Sequence, residues 1–538
     1  MTRNTISILD LDDYFLVSLI EHLKLNDYTG LSAERLSRTC RRFRELSMPV
    51  FFSHCWQKVD ISEASSSDSY LVPCTLWSHI KDITLSCDCI DGIRKVPGSD
   101  WSHYIYKPQD PRVICDALAI PSLHRALRNM PSLSTVVVCP TYPHAFAHGL
   151  SWETFCSFLS LPQVSRLIVD WLYICPIPPA AVALQLHSWT RLTYLEYIVP
   201  TIRQPYSRPS ESDALDRVLQ FLHSSLETLA LPTEPMLMDR IAVLDWPRLR
   251  ELNLRGLRWT SPESPPVVLF ACMPNLRALS LELMEREGAS TTALWPPGLP
   301  ASFPWPFLDN LSVSNPDPED EIYAHLPPTM QTLMLRSWPH QCIRRWQEVN
   351  HEPEELTPYR PPPCSSASLR ILRRCYTPYL RKLGVEYFSD YAESSFLSYI
   401  ASTFPYLTTL ELHRYRSDPN AEIPVLDIAR SLAPLSRLRV LKIHLDFPEM
   451  PGPMLDSYKN KPRYYNDLNP VNFERRLRAS AITFAEHNPC LLQVWHFLYR
   501  LFQLQWRTYD IFHVDVDGTT ETTVNAPLTN VVYETRWG

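Results

Sequence analysis

The sequence predicts an α/β solenoid, a curved parallel sheet built one short strand at a time with helices outside it, preceded by a small helical domain. Three observations carry this. A phrase of the form L-x-x-L-x-L, its first leucine two residues behind a proline, recurs at Pro247–Leu254, Pro274–Leu281 and Pro405–Leu412. Apolar runs at helical spacing, such as Ala214–Leu222, lie between the phrases. Residues 8–56 have a helical apolar stripe and no such phrase.

The phrase has a physical reading. Its last two leucines stand two apart, so on a strand both point to one face, and the first enters the same core from the preceding turn. The proline ends the preceding helix and biases the chain toward an extended path. Looser copies begin at Ile80, Leu133, Val164, Leu192, Leu226, Leu308, Met330, Leu380, Leu438 and Leu492. One such unit cannot bury its own apolar face, whereas stacked units share a continuous core. The pattern resembles the leucine-rich repeat. Most starts lie 22 to 34 residues apart, against about 20–29 in repeats of that kind. The longer gaps after Ile80, Met330 and Leu438 hold either a degenerate unit or a loop. Where the repeat usually has an asparagine, three residues past the last leucine, this chain has Leu257, Met284 and Tyr415, so an asparagine ladder is not expected.

Composition removes several function classes. A chain of 538 residues is too long for one compact core, a limit that a solenoid evades by growing in one dimension. A net charge of −7 argues against a general nucleic-acid binder. With 11 glycines against 50 prolines, little material exists for a glycine-rich phosphate loop. The 14 cysteines follow no repeating spacing and read as reduced, mostly buried thiols. Cys87-Asp88-Cys89 lacks the second pair a zinc site needs, and His144 with His148, flanked by Pro143 and Gly149, reads as a loop. No metal or cofactor is expected. The start carries Asp10, Asp12 and Asp13 instead of a basic, then apolar, signal segment. No stretch reaches the roughly 18 apolar residues of a membrane span. No membrane partner is expected, and the compartment is read as cytoplasmic or nuclear. Asn310-Leu311-Ser312 is read as an accidental glycosylation match within a strand. G-x-S-x-G, H-E-x-x-H, Walker-type and paired C-x-x-C motifs do not occur, so the chain is read as non-enzymatic.

The N-terminal stripe runs through Leu11, Phe15, Leu16, Leu19, Ile20 and Leu23. It breaks at Asn26–Gly30 and resumes at Leu36, Cys40, Phe43 and Leu46 among several arginines, closing with Pro49-Val50-Phe51-Phe52 and Trp56. About forty residues make a poor independent core, so an exposed apolar face here asks for a partner. By pattern alone the segment also fits an ordinary helical cap over the first repeat. The order of residues in Leu16–Leu23 and Leu36–Leu46 resembles an F-box, with Leu11-Asp12 standing where most members have Leu-Pro. F-box followed by leucine-rich repeats is itself a known pairing, and the whole resembles the divergent F-box-like proteins abundant in fungi. The resemblance implies a substrate-recognition subunit of an SCF-type cullin–RING ubiquitin ligase. In that reading Leu11, Phe15, Leu16, Ile20, Leu23, Leu36, Cys40, Phe43 and Leu46 bind a Skp-type adaptor joined to a cullin scaffold, and the repeats hold an unknown target protein. The alternative is a repeat scaffold that binds partners without recruiting a ligase.

Domain boundaries follow: 1–56 helical, 57–75 a connector containing the serine-rich Ser62–Ser69, 76–500 the solenoid, and 501–538 a C-terminal cap. In the cap, Phe512, Val514 and Val516 alternate up to Asp517-Gly518, and Thr519–Val524 follows, a hairpin signal that would close the last strand edge. Polar insertions at Pro316–Glu321 and Glu352–Pro363 read as surface loops. If the leucines face the core, the intervening strand residues line the concave surface in three columns. Charge concentrates toward the C-terminal half, at Arg336, Lys382, Glu386, Glu411, His413, Lys442 and His444. These are the candidate partner-binding residues, with Tyr387 and Tyr415 as aromatic anchors. A merely solvated face fits the same columns.

Overall fold

The computed structural model describes residues 11–26, 31–59, 72–87, 113–141, 148–175, 191–198, 209–285, 293–342, 344, 360–448, 470–500, 503–516, 519–525 and 531–533. Outside them fall most of the break at Asn26–Gly30, the serine connector, Asp88 and Cys89, His144, the acidic Glu352–Glu355 and the turn Asp517-Gly518. The fold is α/β and its strands are mostly parallel, compatible with a solenoid. The described residues divide into two compact units, one running to Leu226 and one from Glu227 onward.

The first unit opens with helices α1 (Asp13–Asn26), α2 (Leu31–Ser37) and α3 (Arg41–Phe52), which pack pairwise. Its strands are β1 (His54–Val59), β2 (Asp82–Cys87), β3 (Val113–Ile114), β4 (Thr135–Pro140), β5 (His148–Leu150), β6 (Arg166–Asp170), β7 (Tyr173–Ile174) and β8 (Tyr194–Ile198). A parallel ladder runs β1-β2-β4-β6-β8. The short β3, β5 and β7 form a separate three-stranded sheet. His148 therefore belongs to β5, not to the loop expected there. Strand β1 carries Trp56 into the ladder, so the helical segment passes into the sheet across the boundary drawn at residue 56.

The second unit holds β9 (Thr228–Pro232), β10 (Glu251–Leu257), β11 (Ala278–Met284), β12 (Asn310–Ser314), β13 (Thr332–Arg336), β14 (Lys382–Phe388), β15 (Thr409–Tyr415), β16 (Val440–Leu445) and β17 (Gln493–Arg500). These nine are parallel and adjacent in chain order. Strand β18 (Gln503–Val516) then turns back antiparallel on β17 and pairs with β19 (Thr519–Asn525) and β20 (Val531–Tyr533), giving the terminal hairpin at the sheet edge.

The strand register is the one the leucines dictate. Leu252 lies beside Leu279, and Leu254 beside Leu281, and the first two intervening columns align residue for residue from β10 to β16. The first residue of every phrase is at most 1 % exposed, with one correction: the last phrase starts at Leu491, buried, and not at Leu492, which is 51 % exposed. Two adjacent leucines left that start ambiguous by one position. All three long gaps are insertions, because β2 pairs directly with β4, β13 with β14 and β16 with β17. Where an asparagine ladder would stand, Leu257 and Met284 instead form an apolar cluster with Trp338. The helical run Ala214–Leu222 lies in the helix Pro209–Leu222 and buries Ala214, Leu215, Val218, Leu219 and Leu222.

Candidate functional site

In the helical bundle, Leu16, Ile20, Phe43 and Val50 form the core, and Leu23, Leu36, Cys40 and Leu46 pack half-buried against it. The expected adaptor-binding residues thus divide. Most hold the bundle together, whereas Leu11 and Phe15 stay exposed, at 37 % and 59 %, beside Tyr14 at 79 %. Asp12 acts as the N-cap of α1, its carboxylate accepting the Phe15 N–H at 3.0 Å. Arg42 of α3 forks onto the Asp13 carboxylate at 2.7 and 3.0 Å and donates to the Leu11 carbonyl at 2.8 Å. Cys40 caps α3, its sulfur accepting the Phe43 N–H. These caps fix the exposed Leu11, Tyr14 and Phe15 at the entry of α1.

In the second unit, the face of the sheet opposite the leucines is half-buried at Asn253, Ser280 and Ser312 and closed further along. Glu386, Glu411, His413 and His444 are each at most 2 % exposed, and Arg336, Lys382 and Lys442 are half-buried. The expectation of an open, charged surface at these residues is corrected. The segment after β13 folds across them, and the aromatic residues Phe497 and Trp506 of β17 and β18 press onto the histidines. His413 lies 5.0 Å from the Phe497 ring and 5.6 Å from that of Trp506, and His444 lies 5.8 Å from Phe497. Tyr387 and Tyr415 are fully buried too, Tyr387 donating to Glu393 at 3.1 Å and Tyr415 packing 5.0 Å from His444.

What the burial encloses is a paired network. The Glu386 carboxylate accepts the Ser337 N–H and the Gln341 N–H, both at 2.8 Å, and meets His340 Nδ1 at 2.7 Å. Glu411 faces Arg336 Nε at 3.2 Å and His413 Nε2 at 2.9 Å. The His340 and His413 rings stack at 4.6 Å, and Lys442 lies over the Trp495 and Trp506 rings at 4.5 and 5.0 Å. Gly384 gives room for this layer: a Cβ there would sit 2.1 Å from Met334 Cε.

Burial and pairing set the charges. Burial alone would raise Glu386, yet His340, His413 and the Gln341 N–H outweigh it and hold the carboxyl at about 2. Glu411 is likewise held below the usual carboxylate range, since Arg336, His413 and Lys442 overcome its burial. Burial pushes His413 down despite Glu411, and burial together with His413 lowers His444 to about 4. Both carboxylates are therefore charged, and His413 and His444 are neutral at physiological pH. Sequence reading missed His340 and Gln341, which lie outside the columns. It also missed Phe497, which falls in the column of His444 once the last phrase starts at Leu491.

Among the described residues, no group of three or more His, Cys, Asp or Glu is placed to hold a metal ion, and no helix is long and apolar enough to cross a membrane. The described cysteines are free thiols. Burial pushes Cys139 up to about 11 and Cys156 to about 12, so neither is a ready nucleophile. No protein-family model matches this chain, and no curated protein matches it either.

Proposed function

We propose that this chain is a substrate-recognition subunit of an SCF-type cullin–RING ubiquitin ligase, with α1–α3 as an F-box-like domain and the strand phrases as leucine-rich repeats. The observation that carries the reading is the entry of α1. A bundle whose core is satisfied by Leu16, Ile20 and Phe43 still presents Leu11, Tyr14 and Phe15 to solvent, side by side and fixed by the Asp12 cap and the Arg42 fork. An apolar and aromatic patch of this kind on a small helical domain suits capture by a Skp-type adaptor, which in turn joins a cullin. The chain then does no chemistry itself. It holds a target near a bound ubiquitin-conjugating enzyme and raises the effective concentration of the target's lysines there.

The test uses surface substitutions, because charges at Leu16 or Ile20 would unfold the bundle. Phe15→Glu with Tyr14→Ala should leave the unfolding free energy within about 0.5 kcal/mol of wild type. The same pair should abolish co-purification of adaptor and cullin with the full-length chain. If adaptor and cullin remain bound to that variant, or never accompany the wild type, the ligase reading fails and a scaffold without ligase recruitment takes its place.

A further inference from the structure

At the edge of the second unit where strands β14, β15 and β16 begin, two rows of side chains, exposed except for the half-buried Thr408, flank the buried first residue of each phrase. Tyr379, Tyr406 and Arg437 precede Leu380, Leu407 and Leu438, and Arg381, Thr408 and Arg439 follow them. The rows are rigid. Thr408 N–H donates to the Arg381 carbonyl at 2.8 Å, and Arg439 N–H to that of Thr408 at 2.9 Å, continuing the sheet ladder into the edge. In the first row the Tyr379 and Tyr406 rings lie 5.9 Å apart, and the Arg437 guanidinium covers the Tyr406 ring at 4.6 Å. Tyr379 is 57 % and Tyr406 40 % exposed. Among the described residues neither Arg381 nor Arg439 has an ion-pair partner, and no acidic residue occupies either row from β13 to β17. A bare basic and aromatic edge in a chain of net charge −7 is a local reversal of sign, and tyrosine with arginine is the pairing that dominates interface energies.

We propose that this edge is a docking site for an acidic segment of another protein in polyproline II conformation. Arg381 and Arg439 lie two strands apart, roughly 10 Å at the usual strand spacing. A polyproline II segment brings every third residue onto one face at about 9 Å, so two carboxylates three residues apart meet both arginines. Prolines between them lie on the Tyr379 and Tyr406 rings, as proline-rich segments do on aromatic-lined surfaces. The short reach of the patch favours a peptide over a nucleic acid. The affinity of a nucleic acid depends on many phosphate contacts, which two free arginines do not supply. The site is independent of the adaptor reading.

Fluorescence polarisation of a labelled (Glu-Pro-Pro)5 peptide titrated with the full-length chain tests it. Binding should be saturable and should fall steeply with salt. It should weaken by at least about tenfold for (Gln-Pro-Pro)5 and for Arg381→Glu with Arg439→Glu, where attraction becomes like-charge juxtaposition. Tyr379→Ala with Tyr406→Ala should weaken it comparably. Adaptor capture should be unchanged in all these variants. If the charge reversals lower the melting temperature, Arg381→Gln with Arg439→Gln gives the same readout. Absent saturable binding, equal binding of the glutamine peptide, or full affinity in the arginine variants overturns the proposal. So does an oligouridine probe that binds the edge more tightly than the acidic peptide.

Discussion

Glu386 shows how one residue can fix a loop. Its two oxygens take the backbone N–H groups of Ser337 and Gln341 and the ring of His340, so the segment leaving β13 is tied to β14 by a single carboxylate. A glutamine has the same shape but replaces one acceptor with a donor, which would face an N–H already pointing at it. Glu386→Gln should therefore lower stability by about 1–3 kcal/mol, the usual cost of an unsatisfied buried donor. Urea unfolding followed by tryptophan fluorescence measures this. An unchanged midpoint would show that the loop is held by packing alone. Nothing in the sequence marked this role: Glu386 sat in a column of charges and read like its neighbours, because its partners come from a loop with no repeat pattern.

At the scale of the strand, periodicity told nearly everything about register and little about cover. The period of two separated core leucines from the columns between them, and the columns of Glu251 and Asn253 aligned as read from β10 to β16. The cover over those columns comes from β17, β18 and the Ser337–Gln341 segment, a tertiary choice that strand periodicity does not encode. The register makes a sharp prediction. Leu252→Ala or Leu279→Ala should cost about 2–5 kcal/mol. Asn253→Ala should cost little, since among the described residues that half-buried side chain bonds only its neighbour Glu251, at 3.0 Å. Gly384 adds a second test on the covered side, where an alanine Cβ would overlap the Met334 side chain. Gly384→Ala should destabilise by about 1–3 kcal/mol, and the double variant with Met334→Ala should lose less than the sum of the two single variants. Additive losses in thermal melts of the single and double variants would show that the two positions do not share this space.

Among the described residues of the whole molecule, the acid-sensitive groups are unevenly placed. In the first unit, burial lowers His124. The second unit holds His413, His444 at about 4 and His496 at about 3, all lowered chiefly by burial from an ordinary 6.5. Glu386 is at about 2 against 4.5. His444 faces His413 and Tyr415 from β15 and Phe497 from β17, with Glu386 and Asp446 as its nearby acids. The sign is the same for every group. Between pH 6.5 and the lowered folded value, the unfolded chain binds a proton on each histidine that the folded one refuses, so stability falls as pH drops. Below about 4.5 Glu386 adds to the loss, because only the unfolded carboxylate takes up its proton there. Each group contributes about 1.4 kcal/mol per pH unit within its window, so the second unit should lose on the order of several kcal/mol between pH 6.5 and 4. Hydrogen exchange of the full-length chain at pH 7 and pH 5, corrected for intrinsic rates, reads this out by peptide. Peptides from β13 to β17 should lose protection ahead of those from β2 to β8. His444→Phe should flatten the dependence, by removing one group whose neutral form the fold requires. Equal loss in both units, or a pH slope unaffected by that substitution, would mean that the buried histidines do not govern acid stability.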